Sequence, residues 1–304
     1  MKVSKIGRVG VLAGGPSSER EISLRSGKAV HDALIQEGVD VFFMDVQDNI
    51  YDIIKSEKMD VAFLALHGKF GEDGTVQKIL DHAGIKYTGS GSEASRLALD
   101  KIASKKIFVK NNIPTPEYVV VEKSSFKIGD LASLKMPVVV KPQFEGSSIG
   151  LSVVKDASEL ENAITKAFEY GPGVLVESYI SGRELTVGIL NDKPLPVIEI
   201  VPKKKVYDFT AKYTDPDTQY LVPAPIEESE KVLAQTLGLR SHSVLGCRSF
   251  SRADIIMDGQ GNMFVLEVNT IPGMTARSLL PKAALAAGVN FGELCVKLLE
   301  DAIK

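Results

Sequence analysis

The chain has 304 residues, 44% of them hydrophobic and 25% charged, a globular composition long enough for two or three compact units. A formal net charge of −3 provides no field to attract nucleic acid or an anionic membrane, so neither is expected as a partner. Cys247 and Cys295 lie far apart, outside any CxxC or Cys/His spacing, and read as buried free thiols of a reducing, cytoplasmic compartment, not as a zinc site.

Lys2 and Lys5 precede no apolar leader segment, and no stretch reaches membrane-spanning length. Residues 6–13 form an apolar, strand-like run that ends at Gly14-Gly15-Pro16. Ser17 and Ser18 can cap a helix over residues 19–37, where Ile22, Ala29, Val30, Ala33 and Leu34 keep helical spacing and Gly38 supplies the stop. Residues 39–46 and 61–66 are strand-like, with helices expected over 50–58 and 76–82. This alternation predicts a parallel α/β sheet that closes near residues 87–91. Residues 100–111 are amphipathic, and Pro114 and Pro116 start a new section. There strands at 138–141 and 151–154 flank a Gly/Ser loop, followed by a helix at 159–168 and a strand at 174–177. A third section opens near Gly182 with strands at 184–190 and 197–200. A loop over 202–223, long enough to be a lid, precedes a helix at 227–245. The basic run Lys203-Lys204-Lys205 in that loop reads as a solvated surface.

Residues 252–269 carry a metal-site pattern. Two β-like runs flank a turn at residues 258–263, and closing a four-residue loop there sets Asp254 opposite Glu267 and Arg252 opposite Asn269. Ala253, Ile255, Met257, Phe264, Leu266 and Val268 then share the core face. Opposed carboxylates repel, and a divalent cation between them reverses that sign. Carboxylate and amide oxygens are the hard ligands Mg²⁺ takes, completed by phosphate and water. A register slip of a single residue would destroy the pairing, and a solvent-facing hairpin with scattered charges is the alternative reading.

The segment Lys141-Pro142 runs into Glu145-Gly-Ser-Ser-Ile-Gly150. Its backbone N–H groups can turn toward an anion beside the Lys141 charge, although an ordinary hairpin turn accounts for it equally. Lys101 is a second candidate phosphate contact. The chain lacks GxxxxGK[S/T], and VGVLAGGPSSERE does not fit GxGxxG, so neither a Walker loop nor a dinucleotide-binding turn is present.

In order, GGPSSEREISLRSG, ALHGKFGEDGTVQ, YTGSG, VVVKPQFEGSSIG, ESYISGRELTVGIL, SRADIIMD and EVNTIPGMTARSL resemble the D-alanine:D-alanine ligases of the ATP-grasp superfamily over nearly the whole chain. The resemblance implies a mixed α/β and α+β fold with three domains. These are an N-terminal Rossmann-like parallel-sheet unit (1–96), a central ATP-grasp unit (97–181) and a C-terminal catalytic unit (182–304). It implies ATP-dependent ligation of two D-alanines through a D-alanyl phosphate, for peptidoglycan precursors, with ATP and two Mg²⁺ ions that Mn²⁺ can replace. It also implies a homodimer. The alternative on the same scaffold is a ligase with D-lactate as acceptor.

By resemblance, Lys101, Lys141 and Lys212 contact phosphate, Glu177, Ser178 and Ile180 flank adenine, and Glu184 meets the ribose. Asp254, Glu267 and Asn269 match the metal ligands. Glu19 is similar to the residue that holds the first ammonium, with Ser147 and Tyr213 as its hydrogen-bond partners and His67 near that substrate's carboxylate. Arg252 and the Gly273 backbone match the oxyanion donors, and Ser278 and Leu279 the second subsite. Tyr213 favours the dipeptide over the ester. Ser178 stands where lysine is common, Thr210 where glutamate is common, and Ser251 where glycine precedes the arginine.

Overall fold

The computed structural model describes residues 6–47, 50–124, 131, 134–202 and 218–304. Tyr213, Lys212 and Thr210, and the basic run, lie outside the described residues.

Three sheets organise the described residues. The first is parallel, in the order β2-β1-β3-β4, from β1 (Val9–Gly14), β2 (Val41–Val46), β3 (Val61–Leu64) and β4 (Lys86–Tyr87). All six residues of β1 are buried, as a central parallel strand covered on both faces requires. Helix α1 (Arg20–Gln36) turns Ser23, Ser26, Gly27, Val30 and Leu34 inward, a face spaced by three and four residues. Gly38, at φ 76°, ends it as expected. The expected serine cap is corrected: Glu19 occupies the N-cap position. Ser17 Oγ instead accepts from the Glu19 N–H at 3.1 Å and donates to the His67 carbonyl at 2.6 Å. The hydroxyl joins two loops at the carboxyl ends of β1 and β3 instead of closing the helix.

The second sheet is antiparallel, in the order β5-β8-β6-β7, from β5 (Tyr118–Glu122), β6 (Val138–Pro142), β7 (Ser152–Val154) and β8 (Gly173–Ser178). The third is also antiparallel, in the order β12-β11-β9-β13-β14 with β10 on β9. Its strands are β9 (Gly182–Leu190), β10 (Lys193–Pro194), β11 (Ile198–Val201), β12 (Gln219–Leu221), β13 (Phe250–Asp258) and β14 (Met263–Asn269). Pairing of Glu199 with Leu221 makes β11 and β12 the two arms that flank residues 203–217.

Helix Glu228–Val244 starts with a capping box between Glu227 and Glu230. Its Ala234 and Leu237 pack with Ala253, Ile255 and Met257 of β13. The C-terminal helices Leu279–Ala286 and Phe291–Ala302 meet at 101°. Their Leu280, Leu294 and Leu298 share a core with Val9 and Val11 of β1, Val30 of α1, and Leu190 and Phe250 of the third sheet. First and third sheets are thereby held by common apolar burial. Among the described residues, no single helix is long and apolar enough to cross a membrane.

Candidate active site

Two cavities adjoin among the described residues. The smaller, about 310 Å³, opens between the second and third sheets. The larger, about 630 Å³, lies among the start of α1, the loop after β3, the end of β14 and the start of helix Leu279–Ala286. Lys101, Gly146 and Glu267 line both and mark the junction.

The β13–β14 hairpin supplies the junction's carboxylates. Arg252 pairs with Asn269 and Asp254 with Glu267, as the sequence predicts. Beyond Asp254 the register shifts, so that Ile255 meets Val265 and Leu266 is the extra residue of a β-bulge. The expected core face is therefore corrected. Met263, Val265 and Val268 are buried, whereas Phe264 is half-buried and Leu266 lines the smaller cavity beside Glu267. Each carboxylate is held by a cation of the chain. The Arg252 guanidinium donates to Asp254 through Nε at 2.9 Å and Nη2 at 2.8 Å, and Thr186 Oγ1 donates at 2.7 Å. Lys101 Nζ stands 3.5 Å from Glu267 Oε2. Asn269 Oδ1 accepts from the Ile271 N–H at 3.0 Å. Among the described residues no group of three or more His, Cys, Asp or Glu could hold a metal ion. Two opposed carboxylates with a neighbouring amide instead fit a hard cation that arrives with phosphate oxygens.

On the other wall of the smaller cavity, Lys141 of β6 and Glu177 of β8 share one face of the second sheet. Glu177 is 1% exposed and ion-pairs with both Lys141 and Lys105, the latter also 1% exposed. Burial would raise the Glu177 carboxyl, but the two ammonium groups hold it below its ordinary value. Burial also pushes the Lys105 ammonium down to about 8, with Glu177 limiting the drop. Lys105 had no sequence signal as a site residue. Ser178, Ile180 and Glu184 line the same cavity, where residues 179–181 carry the chain from β8 to β9. Lys101 Nζ donates to the Glu145 carbonyl at 2.5 Å, so the Gly/Ser loop and the helix Lys101–Lys110 meet at the junction. In that loop Ser147 and Ser148 adopt φ 50° and 61°, a costly conformation for residues with side chains and one concentrated at functional sites.

At the larger cavity, Glu19 is 6% exposed and accepts a hydrogen bond from Ser147 Oγ. Two glycines make room for it. A Cβ on Gly68 would sit 2.8 Å, and one on Gly146 3.0 Å, from Glu19 Oε2. His67 is buried, with Nδ1 3.0 Å from the Ile271 carbonyl and Nε2 3.0 Å from Ser26 Oγ. A carbonyl only accepts, so Nδ1 carries the proton, and the Ser26 hydroxyl donates to Nε2 of the neutral ring. Burial lowers the imidazole's proton affinity and favours that neutral form. Glu72, which the sequence reading passed over, also lines this cavity. Its Oε2 accepts from the Gly68 N–H at 2.6 Å. Burial, reinforced by Glu19, pushes its carboxyl up to about 8. Across the cavity, Ser278 is the N-cap residue of helix Leu279–Ala286 and its Oγ accepts from the Thr275 N–H at 3.1 Å. Gly273 lies against that Oγ, with a Cβ there reaching 3.0 Å. Gly273, Ser278, Leu279 and Arg252 thus share the far wall with the open N-terminus of a helix.

Ser251 acquires a physical account. It faces the opposite side of β13 from Arg252, and its Oγ lies 2.7 Å from Nδ1 of His242, a buried residue of helix Glu228–Val244. The serine satisfies a ring nitrogen that glycine would leave bare.

The chain is similar to known proteins over nearly its whole length. The family model described as D-ala D-ala ligase C-terminus matches residues 107–300, and that described as D-ala D-ala ligase N-terminus matches residues 46–90. The D-alanine–D-alanine ligase of Citrifermentans bemidjiense is 46% identical over 296 residues, covering 97% of this chain and 96% of that protein. The ligase of Acinetobacter baumannii is 43% identical over 303 residues, covering 99% and 98%. The crystal structure of the Bacillus anthracis ligase complexed with ATP superposes with a TM-score of 0.86 at 35% identity, covering 98% of this chain and 97% of that one.

Proposed function

This chain belongs to the D-alanine–D-alanine ligase family, and we propose that its two adjoining cavities divide the reaction, ATP entering the smaller and both D-alanines the larger. The enzyme joins two D-alanines with consumption of ATP. The family and the named relatives carry the dipeptide and not the D-lactate ester. The observation that bears most on the division is the junction itself, where Lys101, Glu267 and the strained Ser147–Ser148 turn meet.

A carboxylate does not react with an amine near neutrality because its oxygen is a poor leaving group. In our reading, Glu19 holds the first D-alanine by its ammonium, and the neutral His67 lies near its carboxylate, which is turned toward the junction. One carboxylate oxygen attacks the γ-phosphorus, ADP leaves, and a D-alanyl phosphate forms. Lys101 and Lys141 neutralise the transferring phosphoryl. Asp254, Glu267 and Asn269 would hold Mg²⁺, which when bound supplies further charge neutralisation on the phosphates. The open N-terminus at Ser278–Leu279 then receives the second D-alanine's carboxylate. Its free amine attacks the acyl carbon, Arg252 and the Gly273 N–H hold the oxyanion, and inorganic phosphate leaves. Lys212 and Tyr213, in the segment between β11 and β12, would close over the acyl phosphate and exclude water. Three domains with the boundaries expected from the sequence, a homodimer and residence in the cytoplasm belong to the same reading.

The acyl phosphate has a direct isotopic test. D-Alanine labelled with ¹⁸O in its carboxylate must deliver one labelled oxygen to the released phosphate for each dipeptide formed. Unlabelled phosphate accompanying labelled dipeptide overturns the mechanism.

A further inference from the structure

Lys105 is among the largest fully buried side chains of the chain, and it lines neither cavity. It lies one helical turn beyond Lys101 on helix Lys101–Lys110, so the two lysines share a face. Lys101 reaches the junction, while Lys105 turns toward β8, whose Glu177 shares a sheet face with Lys141. There it meets Glu177, and its Nζ also donates to Thr115 Oγ1 at 2.5 Å. The Thr115 hydroxyl in turn donates to the Val265 carbonyl at 2.7 Å, and the Val265 N–H donates to the Pro114 carbonyl at 2.8 Å. A single ammonium therefore connects the helix, β8, the segment at Pro114–Thr115 and the β14 strand just before the bulge.

Among the described residues Glu177 has two cations, and they are not equivalent. Lys141 lines the smaller cavity and its side chain is 12% exposed, whereas the Lys105 side chain is 1% exposed. A polyphosphate entering that cavity offers Lys141 a competing partner of higher charge. It offers Lys105 nothing, because Lys105 does not reach it. A buried carboxylate deprived of every cation is strongly disfavoured, so Glu177 requires a partner that the nucleotide does not draw away.

We propose that Lys105 is a positioning residue for ATP: the fixed counter-ion of Glu177, it releases Lys141 to the phosphates and sets nucleotide affinity without touching the nucleotide. The proposal rests on the reading that ATP occupies the cavity between the second and third sheets. Without Lys105, Lys141 is the cation left to Glu177 among the described residues, and ATP must compete with a buried carboxylate for it.

The test is a double-mutant cycle read by calorimetric ATP binding to the full-length protein and by the split between kcat and the KM for ATP. Lys105→Met should weaken ATP binding by about tenfold, with a smaller change in kcat at saturating ATP, because Lys141 is the group contested. In a Glu177→Gln background, which removes the demand for a counter-ion, Lys105→Met should cost less than about twofold. An equal loss in both backgrounds overturns the proposal, since a purely structural lysine would act regardless of the Glu177 charge. Unchanged ATP affinity in folded Lys105→Met overturns it too. Should that variant not accumulate in folded form, Lys105→Gln, which retains a donor toward Thr115, enters the same cycle under the same two criteria. Ile256→Trp, which fills the smaller cavity, separates the premise from the inference. Normal ATP affinity in that variant refutes the cavity assignment and with it the proposal, whereas lost affinity leaves the cycle to decide on Lys105.

Discussion

Truncating Arg252 to alanine separates two roles that the structure combines in one side chain. Arg252 forks onto Asp254 at 2.9 and 2.8 Å, and both side chains are largely covered, at 13% and 12% exposure. Asp254 is not stranded by the change, because Thr186 Oγ1 still donates to it at 2.7 Å. The loss of stability should therefore stay near that of one charge-assisted hydrogen-bond pair, about 1–3 kcal/mol, and the protein should still melt cooperatively. The catalytic loss should be larger. Removing an oxyanion donor costs about 3–4 kcal/mol of transition-state stabilisation, or on the order of a hundredfold to a thousandfold in kcat. ADP release coupled to a visible reporter, at saturating ATP and D-alanine, measures kcat, and a thermal melt of the same preparation measures folding. Arg252→Lys keeps the charge but cannot fork, and should fall between the alanine variant and the native enzyme. A folded Arg252→Ala protein with kcat within tenfold of native would refute the oxyanion assignment and leave Arg252 as a mere partner of Asp254.

Glu267→Gln keeps the shape opposite Asp254 and removes a charge; turnover should fall and require more magnesium, and native turnover at low magnesium would contradict the metal assignment. Ser251→Ala leaves the buried His242 ring nitrogen bare at a cost of about 1–3 kcal/mol, seen as a lower melting temperature with the KM for ATP unmoved. The Glu72 carboxyl is raised from 4.5 to about 8, so the folded state keeps a proton that the unfolded chain has released. Its contribution to stability is full below pH 4.5 and declines as pH rises toward 8. Glu72→Gln abolishes that decline, so its stability relative to the native chain should improve by on the order of a few kcal/mol between about pH 5 and about pH 8. Parallel melting curves across that range would contradict it.

Much of this was legible because local spacing carries it. The apolar period of α1, the continuous burial of β1 and the Asp254–Glu267 pairing all follow from residues close in sequence. Helix Ser92–Leu99 escaped because its buried face is made of Ala94, Ser95 and Ala98, small residues that leave the hydrophobic period faint. The bulge at Leu266 escaped because residues 263–266 are apolar without interruption, so either register buries apolar side chains and nothing local marks the extra residue. The remaining site residues depend on partners far along the chain. Lys105 reads as an ordinary helical lysine until Glu177, 72 positions away, folds against it. Glu72 looks like a surface acid until Glu19 and the Ile271 backbone close over it. Ser251 needed helix Glu228–Val244 to bring His242 behind the strand.

Product analysis distinguishes dipeptide synthesis from its alternatives. The purified chain is given ATP, magnesium, D-alanine and an equal concentration of D-lactate at neutral pH, and ADP, phosphate and condensed products are separated by chromatography. One ADP and one phosphate are expected for each D-alanyl-D-alanine, with the dipeptide in large excess over D-alanyl-D-lactate. ADP release that does not depend on D-alanine, or a product that is mainly the ester, would contradict this expectation.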